Sequence, residues 1–239
     1  MKKLALSLLV LTTGLTMVFS QKTINDANAE KRTVTSFHGI DVSTGIKLIL
    51  IEGTTEEVAV SASTTEFRDH IITEVVNGIL KIHYESKTKA INKKNETKGL
   101  KAYVSYKALD KLSVTTGAEV KIEGVLKSSS LELNSNTGGQ VTGEIDITSL
   151  TVDQNTGSKI TLTGKSGSLD IEGDTGSKFM GEGLTTTNCN ATVSTGAGVY
   201  ITVDKDLSVH ANTGGYIKYK GEGGIRNIKM NTGGSVSKI

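Results

Sequence analysis

The most constraining feature of this 239-residue sequence is a Thr-Gly dipeptide that recurs at nearly constant intervals. Successive copies are 21, 19, 19, 20, 18 and 19 residues apart, and their glycines are Gly117, Gly138, Gly157, Gly176, Gly196, Gly214 and Gly233. Of the 27 glycines, 21 lie in residues 110–239, so glycine follows the same distribution. Self-similarity at a short fixed period is typical of repeat architectures. The sequence therefore predicts a repetitive fold over residues 109–239.

Aligning the repeats on this glycine produces columns of apolar residues. The position three residues after the glycine holds Val120, Val141, Ile160, Phe179, Val199, Ile217 and Val236. The position five residues before the glycine holds Leu112, Leu133, Val152, Ile171, Ala191, Val209 and Ile228. The positions between these columns are mostly polar. Alternation with a period of two is the pattern of β-strands, and it occurs on both sides of the turn.

A repeat of about 19 residues has room for strands and turns but not for a helix and two strands. The pattern therefore predicts an all-β fold, a β-solenoid in which each apolar column stacks on itself at ~4.8 Å per coil. The only cysteine, Cys189, occupies a column that is otherwise held by Leu131, Leu150, Leu169 and Leu207. Because a free cysteine behaves as a small apolar residue, we expect Cys189 to be buried and inert.

The turn residues also repeat. A threonine precedes each glycine, and an Asn, Asp, Ser or Thr precedes that threonine. We interpret these residues as a ladder whose side chains bond to neighbouring coils or to their own turn, with the glycine supplying a positive φ. An ordered threonine array that binds ice is the alternative. It is disfavoured because such an array would need threonine at repeated outward strand positions, which are mixed here.

Residues 33–108 are less regular than the rest. The dipeptide Thr44-Gly45 keeps the apolar offsets of the later repeats, at Ile40, Val42, Leu48 and Leu50, and predicts an early coil. Asn77-Gly78 between apolar runs predicts a hairpin over residues 71–84. We further expect a short helix at residues 65–72 and a solvated, lysine-rich loop at residues 87–98.

No segment resembles a flexible linker between independent domains. Residues 33–239 are therefore expected to form a single β-helix domain. In it, residues 33–108 are an irregular part that begins or caps the solenoid, and residues 109–239 are regular coils.

The N-terminus has the features of a secretory signal peptide, assigned here to residues 1–20. Lys2 and Lys3 precede an apolar stretch of about 15 residues, which is short for a membrane span of roughly 20. Cleavage is expected after Ser20, and residues 27–29 (ANA) are a second candidate site. An N-terminal anchor helix is the alternative. The protein is thus expected to be exported to the periplasm, cell surface or medium, with no membrane span in the mature chain.

Cleavage also removes the excess positive charge. The chain has 27 basic and 25 acidic residues, and losing Lys2 and Lys3 leaves 25 of each. A neutral mature chain has no overall attraction to nucleic acid or to anionic membranes. We therefore expect no nucleic-acid partner.

Two segments and the later Asn-Thr-Gly-Gly repeats resemble a known family. The segments are residues 37–42 (FHGIDV) and residues 112–118 (LSVTTGA), and the resemblance covers about residues 36–221. The sequence is similar to the putative auto-transporter adhesin family with a head GIN domain, a family of secreted bacterial proteins without an established biochemical function. The resemblance implies a right-handed parallel β-helix, which agrees with the columns. It supplies no catalytic residues.

The search for catalytic and metal-binding motifs returns almost nothing. The histidines His38, His70, His83 and His210 have no metal-ligand spacing, and no nucleophile elbow, phosphate loop or dinucleotide fingerprint occurs. We therefore predict no metal, no cofactor and no catalytic residue. One alternative stays open, because parallel β-helices include polysaccharide lyases and hydrolases. Asp153 and Glu172 share an outward column in adjacent coils and could form an acidic catalytic pair.

The favoured function is a non-enzymatic structural or adhesin-like module that binds a surface glycan or a surface protein. Tyrosine suits both ligands because it combines apolar area with a polar tip. Tyr200, Tyr216 and Lys218 come together at outward positions of the C-terminal coils and form the candidate binding patch. Tyr219 falls in a column with Ile122, Leu162 and Ile201, so we expect it to belong to the core.

Overall fold

The computed structural model of the protein describes residues 26–85 and 97–239. The predicted signal peptide and most of the predicted lysine-rich loop lie outside these ranges. All strands of the described residues belong to one 16-stranded sheet. The N-terminal part contains the helix α1 (Thr65–Asp69) and the strands β1 (Glu30–Arg32), β2 (Gly39–Val42), β3 (Lys47–Glu52), β4 (Glu57–Ser61), β5 (Ile71–Val76), β6 (Ile79–Tyr84), β7 (Lys101–Tyr106) and β8 (Lys111–Val114).

The regular part consists of long strands that each continue from one coil into the next. They are β9 (Glu119–Ser135), β10 (Gln140–Gln154), β11 (Lys159–Gly173), β12 (Lys178–Val193), β13 (Gly198–Ala211), β14 (Tyr216–Lys220), β15 (Gly224–Met230) and β16 (Ser235–Lys238). Strands β9 to β13 pair in parallel and in sequence order. Strands β14 and β15 both pair with β13, and β16 pairs with β14, so the last strands complete the final coils.

This arrangement confirms the predicted fold class, since the chain is nearly all strand with 2% helix and forms a β-solenoid of about seven turns. The register also confirms the columns. Val141 pairs with Val120 on one side and with Ile160 on the other, and the column continues through Phe179 and Val199. These side chains are at most 2% exposed. The solenoid interior is therefore a stack of aliphatic side chains, as the period-two pattern predicts.

The Thr-Gly turns have one feature that the sequence analysis did not predict. The glycine has the expected positive φ, and the preceding threonine, for which we made no such prediction, also lies in the left-handed region, with φ of 47° at Thr156 and 67° at Gly157. Two successive residues with positive φ are typical of a type I′ turn. The residue before the threonine stabilises this shape, because Asn155 Oδ1 accepts a hydrogen bond from the Thr156 amide at 2.7 Å. Asn136, Asp174 and Asn212 make the same contact.

The N-terminal part begins the solenoid and closes one end of it. The early coil is confirmed, because Ile40 pairs with Leu112 and Leu48 pairs with Val120. A further level forms when β6 and β7 add in parallel to β2 and β3. The predicted hairpin is also confirmed, and its strand β5 runs antiparallel to β6 while β4 runs antiparallel to β7. These antiparallel strands cover the parallel edge that would otherwise be exposed.

Candidate functional site

The three predicted patch residues lie together on the outer surface of β13 and β14. Tyr200 pairs with Lys218, and Gly198 pairs with Tyr216. All three side chains are half-buried, and they alternate along the strands with the buried Val199, Ile201, Ile217 and Tyr219. Strand alternation therefore directs Tyr200, Tyr216 and Lys218 outward. Tyr219 is 8% exposed and belongs to the core, as expected.

The two tyrosine rings form an edge-to-face pair. Their centroids are 5.9 Å apart with an interplanar angle of 84°, and Lys218 Nζ lies 5.5 Å from the centre of the Tyr200 ring. The Tyr216 ring covers Gly198, since a β-carbon there would lie 2.2 Å from Tyr216 Cζ. Burial, followed by the contact with Tyr200, raises the pKa of the Tyr216 hydroxyl, which therefore stays protonated at neutral pH. The result is a fixed aromatic platform with a cation beside it.

Two lysines extend this surface along the solenoid axis. Lys159 and Lys178 pair across β11 and β12, and Lys178 pairs with Gly198, so both share the column of Tyr216. Both are exposed, and neither has an ion-pair partner in the part of the chain that the structure describes. Successive coils are ~4.8 Å apart. We call the set Tyr200, Tyr216, Lys218, Lys178 and Lys159 the Tyr-Lys strip.

The acidic pair of the alternative hypothesis lies on the opposite side of the Thr-Gly turns. Asp153 pairs with Glu172 in adjacent coils, as the column arithmetic predicts, and both side chains are exposed. Neither carboxylate lines the depression bordered by Ile40 and Asn77 or the one bordered by His38 and Asp110. Within residues 26–85 and 97–239, no group of three or more His, Cys, Asp or Glu side chains could hold a metal ion. The pair thus sits on an open, solvated face.

Sequence reasoning did not identify an ion-paired depression near the N-terminal end. His38 Nδ1 lies 2.7 Å from Asp110 Oδ1, and Lys111 Nζ lies 2.9 Å from Glu132 Oε1. These four residues line a shallow depression of about 510 Å³. The Lys111 and Asn134 side chains, which donate hydrogen bonds to Glu132, lower the pKa of that carboxyl. The sequence contains a pattern that could have predicted the contact between His38 and Asp110, because each of them lies seven residues before a Thr-Gly glycine.

No described helix is both long and apolar enough to cross a bilayer. Within residues 26–85 and 97–239 the only helix is α1, which has 5 residues.

Several solved structures share this fold. A protein described as a putative adhesin from Bacteroides fragilis matches with a TM-score of 0.80 at 18% identity, covering 88% of this chain and 96% of that one. A protein described as a putative lipid binding protein from Parabacteroides distasonis matches with a TM-score of 0.66 at 18% identity, covering 90% and 98%. A putative adhesin from Parabacteroides merdae gives 0.64 at 16% identity, covering 88% and 95%. At these identities the likeness concerns the fold alone.

No protein of curated function matches the chain. The family model described as putative auto-transporter adhesin, head GIN domain matches residues 36–223, which is more than half of the sequence. The match agrees with the resemblance carried by residues 37–42 and 112–118. The chain therefore belongs to the putative auto-transporter adhesin family with a head GIN domain.

Proposed function

We propose that this protein is an exported, non-enzymatic adhesin-like module that binds an acidic extracellular polysaccharide along the Tyr-Lys strip. Membership of an adhesin family supports recognition of surface molecules and a location outside the cytoplasm. The observation that carries the proposal is the continuity of the strip. The tyrosine pair and the unpaired Lys159 and Lys178 lie on one face of consecutive coils.

Each part of the strip matches a part of such a polymer. A tyrosine ring offers apolar area to the face of a sugar and a hydroxyl to its rim. A lysine ammonium attracts a carboxylate or sulfate, and the attraction is stronger where the lysine has no partner of its own. The coils repeat these positions along the axis, so an extended chain meets them in succession.

The test is a binding assay of the purified protein on arrays of acidic and neutral polysaccharides. We expect retention on acidic polymers, and the double variant Tyr200→Ser and Tyr216→Ser to lose it. The matched control is Ser208→Ala with His210→Ser, because these residues also lie on β13 but on the other side of the turn. Unchanged binding of the tyrosine variant would refute the Tyr-Lys strip as the binding site. Binding only to cell-surface protein would refute an acidic polysaccharide as the ligand.

The enzymatic alternative rests on the neighbouring carboxylates of Asp153 and Glu172. A lyase or hydrolase would place such a pair beside a bound sugar. We propose instead that these carboxylates form a solvated face. Incubation with uronic-acid polymers tests this, and we expect no shortening of the polymer. If the polymer is shortened and Asp153→Asn with Glu172→Gln abolishes the reaction, the non-enzymatic proposal is wrong.

Export is part of the proposal and rests on the sequence of residues 1–20. We expect the native protein to begin near Gln21. Mass spectrometry of the protein from its own cells measures this directly, and a mature chain that retains residues 1–20 would contradict it.

A further inference from the structure

A cluster of polar side chains is enclosed within the solenoid, beside the Thr-Gly turns. Two interior positions border each turn, one three residues before the glycine and one directly after it. At both ends of the cluster these positions are apolar, with Val114 and Ala118 on one side and Val193 and Ala197 on the other. In the three coils between, they hold Ser135 and Gly139, Gln154 and Ser158, and Gly173 and Ser177. We call Ser135, Gln154, Ser158 and Ser177 the polar corner.

The side chains of the polar corner are shielded from solvent. All four residues are at most 1% exposed. Gln154 pairs with Ser135 in the previous coil and with Gly173 in the next. Ser158 closes the turn that follows Gln154, since its amide donates to the Asn155 carbonyl at 3.1 Å. The corner is therefore a closed compartment, three coils high, with apolar residues above and below it.

Most polar atoms of this compartment have no partner in the protein. Ser177 Oγ donates to the Gln154 carbonyl at 3.2 Å. Among the described residues, however, Ser135 Oγ, Ser158 Oγ and both amide atoms of Gln154 make no hydrogen bond. Buried hydroxyls elsewhere in the solenoid behave differently, because Ser166 and Thr186 donate to nearby backbone carbonyls. The unpartnered atoms thus concentrate in one place.

Buried polar groups in folded proteins are almost always hydrogen-bonded, and an unpaired one is costly. The glutamine amide alone can donate two hydrogen bonds and accept two. Glycine at position 173 keeps a side chain from crowding the amide, because a β-carbon there would lie 3.3 Å from Gln154 Nε2 and 3.5 Å from both Ser177 Oγ and Ala197 Cβ. A buried water needs two to four polar partners and a polar surrounding, and the corner offers both.

We propose that the polar corner is a buried hydration site, in which at least one ordered water molecule bonds to the Gln154 amide and to the hydroxyl of Ser135 or Ser158. The site lies inside the rod and is separate from the Tyr-Lys strip. It supplies the hydrogen bonds that the neighbouring protein atoms do not make.

A crystal structure of the protein at about 1.5 Å resolution tests the site directly. We expect a water oxygen 2.6–3.2 Å from Gln154 Nε2 or Oε1. The proposal is overturned if the corner contains no ordered water. It is also overturned if Gln154 bonds directly to the two serine hydroxyls, or if the density is a cation surrounded by oxygen ligands.

Thermal unfolding of Ser158→Ala provides a second test, which depends only on whether the melting temperature rises or falls. Alanine fits this position, because Ala118 and Ala197 occupy it in other coils. If water pairs the Ser158 hydroxyl, its removal lowers the melting temperature, as does Ser177→Ala, which loses a hydrogen bond to the Gln154 carbonyl. If the hydroxyl is unpaired, its removal raises the melting temperature. Ser135→Ala is measured in parallel, since Ala211 occupies its position in another coil. A rise for both Ser135→Ala and Ser158→Ala, with a fall for the Ser177→Ala control, would overturn the proposal.

Discussion

Val141 and Gln140 are adjacent in β10 but face opposite sides of the sheet. Val141 is 1% exposed, whereas Gln140 is exposed. We predict that Val141→Asp lowers the free energy of unfolding by several kcal/mol, about 3 or more, because it buries an unpaired charge. Gln140→Asp should change it by about 0.5 kcal/mol or less. Thermal unfolding of both variants measures the difference, and equal melting temperatures would show that the register is wrong.

The reactivity of the Cys189 thiol is a measure of whether the interior of the solenoid is closed to solvent. Its side chain is buried, and burial, with a smaller effect of Asp170, raises the pKa of the thiol to about 12. The reactive species is the thiolate, so the folded protein should react very slowly with a thiol reagent at pH 8 and rapidly once unfolded. The matched control is Cys189→Ser with Asn190→Cys, which moves the thiol to the exposed neighbouring position. Rapid labelling of Cys189 in the folded protein would contradict its burial.

For single residues, the period-two pattern predicts which side chains point inward, but it does not predict that some of these inward side chains are polar. Cys189 and Tyr219 could be assigned to the interior because aliphatic residues occupy their columns in other coils. Gln154 also points inward, at the position held by Val114 and Val193 in other coils. Because Gln154 is polar, a search for columns of apolar residues does not identify its position as an interior one. Only the three-dimensional arrangement reveals that it meets Ser135 and Ser158.

The Thr-Gly turn is the element whose conformation is least expected for its residues. Thr156 has a φ of 47°, which is unfavourable for a β-branched side chain, whereas asparagine tolerates it well. We predict that Thr156→Asn raises the free energy of unfolding by about 0.5–1 kcal/mol. Denaturant unfolding measures this, with Thr151→Asn as the control, since Thr151 is exposed on an extended strand where asparagine is unfavourable. A loss of stability for Thr156→Asn would mean that the threonine side chains stabilise the turn.

The strands are the element for which the sequence was only partly informative. We expected short strands separated by turns, yet β9 alone has 17 residues. Parallel pairing continues along most of the chain between successive Thr-Gly turns, and irregularities in register absorb the unequal repeat lengths, for example between Thr161 and Thr163. The Thr-Gly turn keeps its shape in every coil because the differences in repeat length are accommodated outside the turn. Such bulges are not visible in hydrophobic periodicity, which reports only the side-chain direction.

At the scale of the whole molecule, the repeat predicts the solenoid, but it does not predict how the strands of the N-terminal part pair with one another. Strand β6 pairs with β2, and β7 pairs with β3, so strands distant in sequence complete the N-terminal coil. No local pattern specifies those partners. The strands from β1 to β16 belong to one sheet, and the division of residues 33–239 as a single domain stays a prediction. The positions of Tyr200, Tyr216 and Lys218 could be predicted because they lie within the regular coils.

Charge differs between the two sides of the turn in the coils that contain Gly157 and Gly176. Four residues before these glycines stand Asp153 and Glu172, and two residues after them stand Lys159 and Lys178, whereas in other coils the same two columns also hold Lys229 and Glu119. Without residues 1–20, whose removal we propose, the chain has 25 basic and 25 acidic residues, so an anionic ligand would be attracted by local groups such as Lys159 and Lys178 and not by the molecule as a whole.

Charge reversal at these two lysines is therefore our last prediction. Lys159→Glu with Lys178→Glu should weaken binding to an acidic polysaccharide roughly tenfold, since each exposed charge contributes up to about 1 kcal/mol and reversal adds repulsion. The control is Lys127→Glu with Lys165→Glu, which changes the net charge equally on another surface of the rod, where both lysines are exposed. Affinity should also fall as salt shortens the Debye length. Equal losses in the two double variants would show that net charge, and not the Tyr-Lys strip, governs binding.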